Sequence, residues 1–194
     1  MMKIALRALV ATILLAVLTG LVYPLVITGI AQLGMKTKAD GSLVTVDGKI
    51  VGSSSIGQAW KGDQWFYGRP SAIEYDASTS SGSNLGPNSS DLEKDIAANA
   101  KAILKEEGPY TPGLTVAKIP SDLLTASGSG LDPDISEAAA MFQVPRIAAV
   151  RHLPASKVQA LVQSTVMGPD LGFLGQQRVN VLALNLALSQ LAQT

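Results

Sequence analysis

The most constraining feature of the sequence is an apolar stretch near its N-terminus. Residues 8–30 carry no charge and are almost wholly apolar. As a helix rising about 1.5 Å per residue they extend roughly 35 Å, enough to cross a hydrocarbon core of about 30 Å. Gly20, Pro24 and Gly29 would weaken such a helix in water, but hydrocarbon leaves the backbone no other way to satisfy its polar groups. The stretch therefore predicts one transmembrane helix, with a local kink at Pro24.

A cleaved signal peptide is the competing interpretation of the same stretch. Lys3 and Arg7 form a basic flank, and residues 29–31 resemble a small-x-small cleavage site. The apolar stretch, however, exceeds the roughly 7–15 residues of a signal-peptide core, which favours a retained anchor. The predicted organisation is a short N-terminal segment (residues 1–7), a transmembrane helix (residues 8–32) and a soluble domain (residues 33–194).

Charges on either side of the anchor bear on its orientation. Lys3, Arg7 and the terminal amine flank one end, whereas Lys36, Lys38 and Asp40 flank the other. Because positive charge is enriched on the cytoplasmic side of membranes, this slight excess favours a cytoplasmic N-terminus and an extracytoplasmic C-terminal domain. The expected location is the inner (plasma) membrane, in contact with lipid and crossed once.

The charged and reactive residues exclude several classes of function. The chain has 15 basic and 15 acidic residues, one histidine and no cysteine. This balance of charge argues against nucleic-acid binding, which needs a basic surface. The lack of cysteine rules out disulfides and thiolate metal sites. Neither a phosphate-binding G-x-x-x-x-G-K-[ST] loop nor a G-x-S-x-G nucleophile motif occurs, and His152 is expected at an exposed helix end. We therefore assign no catalytic residue and no metal ligand.

Turn residues and alternating apolar positions predict a hairpin at the start of the domain. Residues 42–46 and 49–52 alternate around Asp47-Gly48, a pair typical of two-residue turns. Residues 52–88 contain too many glycines and prolines for long regular elements. Four of the nine aromatic residues fall within residues 60–67, where we expect a small core of large side chains. Contact with a partner or with the membrane surface is the alternative.

Helical patterns begin at residue 90. Ser90-Asp91-Leu92-Glu93 predicts a capping box at the start of a helix. A second helical region follows residues 134–137, with a kink or a restart expected at Pro145. A short helix is expected after Pro154, and residues 179–191 are expected to form a short strand leading into a helix. The mixture predicts an α+β fold with a single small mixed domain behind the anchor.

Two runs of small polar residues admit two interpretations. Residues 81–87 and 125–133 could aim backbone N–H groups at an anion, or they could form tight turns in which glycine adopts positive φ. The lack of a neighbouring lysine favours turns, since phosphate sites usually add fixed positive charge. Arg69, within residues 68–72, could pair with a carboxylate, reach a partner or lie on the open surface.

Taken together, these segments resemble the C subunits of bacterial Kdp potassium-transporting ATPases. The resemblance covers nearly the whole chain. Each motif alone is weak, but seven occur in the family order, which is specific. They are the anchor with Tyr23-Pro24-Leu25, Ile56-Gly57-Gln58, Gly68-Arg69-Pro70-Ser71-Ala72, Ser81-Gly82-Ser83-Asn84-Leu85-Gly86-Pro87, residues 125–133, Gln143-Val144-Pro145-Arg146, and Arg178-Val179-Asn180-Val181-Leu182 leading to Leu184-Asn185-Leu186-Ala187-Leu188.

The chain departs from the family pattern at four positions. Asp134 stands where the family commonly has histidine, and Gln176 and Gln177 stand where it usually has Glu-Pro. His152 replaces an expected glycine. These departures bear on individual contacts, including any role of an imidazole near Asp134, and leave the resemblance intact.

The resemblance implies a non-catalytic accessory subunit of an ATP-driven, high-affinity potassium importer. The implied partners are a channel-like potassium-binding subunit and a P-type ATPase subunit. The family is also described as a catalytic chaperone that raises the ATP affinity of the ATPase subunit, with Ser127, Gly128, Ser129 and Gly130 suggested as a nucleotide contact. The orientation argued above places that loop across the membrane from cytoplasmic ATP, so we expect a structural or subunit-facing loop there.

Nine residues are candidate partner contacts. Small residues allow transmembrane helices to approach closely, which motivates the choices in the anchor. The remaining choices are charged or polar members of the motifs. The candidates are Gly20, Tyr23, Pro24, Gly29, Arg69, Ser83, Asn84, Arg146 and Arg178. The alternatives to a transporter subunit are an anchored periplasmic scaffold or binding protein unrelated to transport, and an anchored hydrolase.

Overall fold

A computed structural model describes residues 1–191 of the 194-residue chain. The chain divides into two compact units, Met1–Leu43 and Val44–Thr194, called here the N-terminal and C-terminal units. The N-terminal unit is helical, and the C-terminal unit combines helices with a small sheet. This confirms the predicted fold class.

The N-terminal unit is dominated by one long helix. It comprises α1 (Met2–Val17), a π-helical turn (Leu18–Val22) and α2 (Tyr23–Gly34), and the one-turn helix α3 (Lys36–Ala39) follows. Met2–Gly34 is long and apolar enough to span a membrane, as predicted. The wider π turn ends directly before Tyr23-Pro24, where proline removes a backbone donor. A kink at Pro24 stays a prediction.

The C-terminal unit begins with the predicted hairpin. Strands β1 (Leu43–Val46) and β2 (Lys49–Ser53) pair across Asp47 and Gly48, whose φ angles are 49° and 76°. Positive φ at both central residues matches the twist of a two-residue hairpin turn. Residues 54–89, which the structure describes throughout, then form neither helix nor strand, as their glycines and prolines predict.

Helices and a three-stranded sheet make up the rest of the unit. The sheet is antiparallel with the order β3-β5-β4, so that Val179 of the central strand pairs with Ile135 on one side and Val166 on the other. The elements are α4 (Ser90–Glu107), α5 (Ser121–Leu124), β3 (Asp134–Ile135), α6 (Glu137–Val150), α7 (Ala155–Thr165), β4 (Val166–Met167), β5 (Arg178–Asn180) and α8 (Val181–Leu191), with 3₁₀ turns at Gly108–Tyr110 and Val116–Lys118. The short strand that leads into the last helix is as predicted.

The core lies where α6, α7 and α8 pack against the central strand. Apolar residues four apart supply one buried stripe on each helix, because that spacing returns to the same helical face. Phe66 reaches this core from the irregular segment and is fully buried, and Trp60 packs at its edge, which supports the core interpretation of the aromatic run. The fully buried aliphatic side chains include Ala140, Ile147, Val158, Val162, Val179, Leu184 and Leu188.

One predicted helix feature is wrong, and one of two alternatives predicted at Pro145 is excluded. The cap of α4 is Ser89, whose Oγ accepts a hydrogen bond from the Asp91 N–H, so the capping box at Ser90 is displaced by one residue. Helix α6 continues through Pro145, so the restart does not occur, whereas a kink there stays a prediction. The surrounding packing holds the helix together although proline withdraws one N–H, a tertiary effect that local propensity does not contain.

Candidate functional site

Four sequence motifs meet in one cluster of loops. The Ser127 N–H donates to the Pro70 carbonyl at 3.1 Å, and the Ser71 hydroxyl donates to the Gly130 carbonyl at 2.7 Å. Residues 56–58 join the cluster through the Gly57 N–H, which donates to the Leu131 carbonyl at 2.8 Å. Residues 80–84 join it through the Ser80 hydroxyl, which donates to the Ser129 carbonyl at 3.2 Å. We call residues 56–58, 68–72, 80–84 and 125–133 the loop cluster.

Glycines in the loop cluster are required by close approach. Gly130 has a φ of +68°, and an added Cβ would lie 2.7 Å from the Ser81 carbonyl oxygen and 2.6 Å from the Ile73 side chain. A Cβ at Gly57 would collide with the Asp132 carbonyl. Such contacts and the positive φ favour the turn interpretation of these motifs.

The suggested nucleotide loop uses several of its own donors. The N–H groups of Ser127 and Gly130 donate to the carbonyls of Pro70 and Ser127, and the Leu131 N–H donates to the Ser129 hydroxyl at 3.1 Å. Ser127 and Gly130 are also buried. Donors already bonded inside the protein do not bind a phosphate, so Ser127 and Gly130 form the packed ends of a turn whose middle residues, Gly128 and Ser129, are exposed.

A charged groove of about 540 Å³ lies beside the loop cluster. Arg69 pairs with Asp132 at 3.1 Å, and Arg178 pairs with Asp134 at 3.3 Å. All four side chains are partly exposed. Two of the candidate partner contacts, Arg69 and Arg178, therefore face the same groove. Three of the four family departures also line it: Asp134, Gln176 and Gln177.

Two neutral side chains, those of Asn180 and Tyr75, also order the charged groove. Burial raises the pKa of Asp134, against the opposing effects of the Asn180 side-chain hydrogen bond and the Arg178 charge. The Tyr75 hydroxyl donates to the Arg69 carbonyl, and burial raises the pKa of this tyrosine to about 12. Tyr75 thereby fixes the backbone from which Arg69 projects into the groove.

Arg146, the third charged candidate, lies in the interior and is 0% exposed. Its Nε donates to Glu107 at 2.7 Å, and its other nitrogens donate to the carbonyls of Asp63 and Trp65 and to the Gln143 side chain. These contacts occupy the guanidinium inside the unit, so Arg146 has no surface to offer a partner in this conformation. Burial raises the pKa of Glu107, against the attraction of Arg146.

Two buried amides hold the aromatic run in place. Asn185 accepts from the Phe66 N–H and donates to the Phe66 carbonyl, both at 2.9 Å. Gln143 bonds the N–H and carbonyl of Tyr67 in the same way, at 2.8 and 3.1 Å. Each side chain replaces the strand neighbour that this irregular segment lacks. Sequence reasoning missed the roles of Asn185, Gln143 and Glu107, although the first two stand within the family motifs.

The remaining candidates are more scattered. Ser83 and Asn84 are exposed, and Asn84 has a φ of 55°. Gly20 and Gly29 lie in the long apolar helix with open space around them, and Tyr23 is exposed.

Within residues 1–191 no group of three or more His, Asp or Glu side chains could hold a metal ion. The site thus consists of ion pairs, amides and packed turns, which suit recognition of another chain.

Fold and site together define a class: a protein with one candidate membrane helix among residues 1–191, a small α+β unit and a charged groove suited to recognition. Residues 5–190 match the family model described as KdpC: K+-transporting ATPase, c chain, and the chain belongs to this family. The resemblance inferred from the motifs is therefore confirmed.

Curated relatives agree over nearly the full length. The chain is 50% identical to the potassium-transporting ATPase KdpC subunit of Methylobacterium nodulans over 198 residues, which cover 95% of each chain. It is 48% identical to that of Methylorubrum extorquens, with 96% of each chain covered. It is 51% identical to that of Caulobacter vibrioides, with 93% of this chain and 90% of the relative covered.

Proposed function

We propose that the chain is a non-catalytic accessory subunit of an ATP-driven, high-affinity potassium importer, required for assembly and function of the complex. Membership of the K+-transporting ATPase c-chain family carries this proposal. The charged groove supports it, because partly exposed ion pairs and neighbouring amides serve recognition. No observation favours a scaffold unrelated to transport, nor an anchored hydrolase.

The proposed partners are a channel-like potassium-binding subunit and a P-type ATPase subunit. Affinity purification of the full chain from a strain that expresses all subunits should recover both larger proteins. A strain lacking this chain should fail to grow at limiting potassium, and the full-length chain should restore growth. Recovery of the chain without membrane partners, together with normal growth of the deletion strain, would refute the proposal.

We further propose that the N-terminus is cytoplasmic, that residues 8–32 cross the inner membrane and that residues 33–194 are extracytoplasmic. The excess of basic residues before the apolar helix supports this orientation. Fusions of alkaline phosphatase and of a fluorescent protein that matures only in the cytoplasm, each placed at the C-terminus, test it. Phosphatase activity without fluorescence is expected, and the reverse pattern would overturn the orientation.

Close packing of the anchor against a membrane partner follows from its small residues. At about 100° per residue, Gly20, Tyr23 and Pro24 share one face of the helix, whereas Gly29 lies roughly opposite Gly20. Gly20 and Gly29 therefore contact different neighbours. Gly20→Leu should weaken co-purification by filling the space that close helix approach requires. Ala8→Leu, which adds a comparable side chain about 120° around the helix from Gly20 and about 60° from Gly29, is the control, and equal recovery of both variants would contradict the packing.

A direct ATP contact at residues 127–130 is not part of the proposal. The bonded N–H groups of Ser127 and Gly130 favour a structural or subunit-facing loop, and the proposed orientation separates it from cytoplasmic ATP. Any influence on ATP affinity would then pass through the membrane partners as a shift between two conformations. A photoreactive ATP analogue should label the ATPase subunit in the purified complex. Labelling of residues 127–130 would restore the nucleotide-loop interpretation.

A further inference from the structure

The hairpin tip between β4 and β5 exposes an unusual set of side chains. Leu171 is 82% exposed, Phe173 74% and Leu174 50%. Leu171 and Phe173 are the most exposed large hydrophobic side chains among the described residues of the C-terminal unit. We call these three residues the apolar tip. Three neighbouring large apolar side chains held in water mark an interaction site.

The apolar tip is built rigidly. The Asp170 N–H donates to the Leu174 carbonyl at 2.8 Å, and the Leu174 N–H donates back to the Asp170 carbonyl at 2.9 Å. The N–H groups of Gly172 and Phe173 donate to the carbonyls of Pro169 and Asp170. Four backbone N–H groups between residues 170 and 174 thus have partners within the hairpin tip. Moving the apolar tip out of water therefore forfeits few hydrogen bonds.

Backbone strain also points to a use for this geometry. Leu171 has a φ of 55°, a left-handed conformation that costs a branched side chain on the order of 1 kcal/mol. Gly172 and Gly175 share positive φ, at 83° and 87°. The bend therefore holds the apolar side chains outward, and preorganisation of this kind lowers the entropic cost of binding.

The apolar tip is continuous with the charged groove. Arg178 donates to Asp170 at the base of the tip at 3.1 Å and pairs with Asp134 in the groove at 3.3 Å. Gln176 and Gln177 connect the two along the chain and line the groove. An apolar centre beside a rim of ion pairs and amides is the composition of a protein–protein interface.

Charge argues against a lipid surface as the occupant. Residues 168–177 contain one charged residue, Asp170, and no lysine or arginine. Loops that bind anionic membranes add basic residues around their apolar side chains, because headgroups attract positive charge. An acidic, ion-paired tip beside a polar rim fits an apolar pocket on a protein better.

We infer that the apolar tip inserts into an apolar pocket on a companion membrane subunit of the transporter, with the charged groove as the polar rim of the same interface. This inference rests on the proposed function. Phe173 is the central anchor, since a buried aromatic side chain with a fixed backbone contributes most to an interface. The occupant is thus a concave, apolar protein surface bordered by polar groups.

Photo-crosslinking in the assembled complex tests the inference. Phe173→benzoylphenylalanine in the full chain should yield a covalent adduct with one larger subunit after illumination. The same substitution at Ile50, which is 64% exposed and lies in the first hairpin, is the control and should give at least about tenfold less adduct. Adducts at residue 173 with lipid alone, or none in an assembled complex, would overturn the inference.

A second measurement separates this inference from the proposed function. Phe173→Ser should leave the thermal unfolding midpoint of the chain unchanged, because the side chain is exposed, yet speed its dissociation from the complex about tenfold or more. Ile50→Ser should leave both the unfolding midpoint and the dissociation rate unchanged. If the wild-type chain forms no complex, the proposed function fails. If wild type and Phe173→Ser dissociate alike, only the tip assignment fails.

Discussion

Replacement of Arg146 by methionine is the most informative perturbation of the C-terminal unit. Methionine retains much of the apolar stem and removes the guanidinium, so packing changes less than hydrogen bonding. Glu107, which is 2% exposed, then loses its ion-pair partner. The carbonyls of Asp63 and Trp65 and the Gln143 oxygen lose donors at the same time.

The expected loss follows from these contacts. Removing one member of a buried ion pair costs roughly 3–5 kcal/mol, because the remaining charge has neither partner nor water. A domain of this size is stabilised by only about 5–15 kcal/mol, so Arg146→Met should remove a large share of that stability. Protonation relieves an unpaired Glu107, and the loss should therefore shrink as the pH falls from 8 to 5.

Urea unfolding of the detergent-solubilised chain measures this loss. Tryptophan fluorescence is a suitable signal, because the two tryptophans, Trp60 and Trp65, lie in the segment that Arg146 holds. Adding Glu107→Gln to Arg146→Met should recover about 2 kcal/mol by removing the orphaned charge. Arg151→Met, at a partly exposed arginine stacked 4.5 Å over the Trp65 ring, is the control and should cost about 1 kcal/mol or less. A loss below about 1 kcal/mol for Arg146→Met would refute the reasoning.

Three further predictions concern backbone conformation and pH. His152 closes the C-terminus of α6 with a φ of 56°, so His152→Gly should raise stability by about 0.5–1 kcal/mol in the same urea assay. Gly130→Ala should lower stability by about 2–3 kcal/mol, since it combines positive φ with a collision, whereas Gly128→Ala meets nothing within 4 Å and is the control. Burial raises the pKa of Glu107 from 4.5 to about 7, so the folded state binds this proton more tightly than the unfolded state. The stabilisation of the folded state by this proton is complete below about pH 4.5 and is lost as the pH rises through about 7. Glu107→Gln should therefore flatten that part of the plot of unfolding free energy against pH.

Each of these predictions has a contrary outcome. Unchanged or reduced stability of His152→Gly would mean that the imidazole makes a contact that compensates for the backbone strain. Equal effects of alanine at Gly130 and Gly128 would contradict the packed-turn geometry of the loop. An unaltered pH profile in Glu107→Gln would assign the dependence to another carboxyl, and Asp134 is the next candidate because burial raises its pKa too.

Local features of the chain were predictable because few residues determine them. The Asp47-Gly48 turn, the helix after Pro154 and the strand that leads into α8 each depend on neighbours in sequence. The cap of α4 fell one residue away because Ser89 and Ser90 are adjacent candidates with the same chemistry. The exposed end at His152 also followed from its flanks, and its left-handed backbone agrees with the glycine expected there.

The parts of the fold and the site that were not predictable depend on contacts between residues that are far apart in the sequence. Nothing near Arg146 in sequence indicates that it pairs with Glu107, 39 residues earlier, so the prediction of a partner contact could not anticipate its burial. Ser71 and Gly130 meet across 59 residues. The charged groove forms because the loop that carries Arg69 lies beside the paired strands β3 and β5, which carry Asp134 and Arg178, and motif order alone does not specify this arrangement.

The amide pairing of Phe66 with Asn185 has a consequence for how the protein is made. The two residues are 119 positions apart, and at about 5–20 residues per second the ribosome needs roughly 6–24 s to supply the second after the first. Throughout that interval the Phe66 amide has no permanent partner. A chain cut short before α8 therefore presents this segment to proteases. Helix α8 therefore completes the hydrogen bonding of an irregular stretch that was made 119 residues earlier.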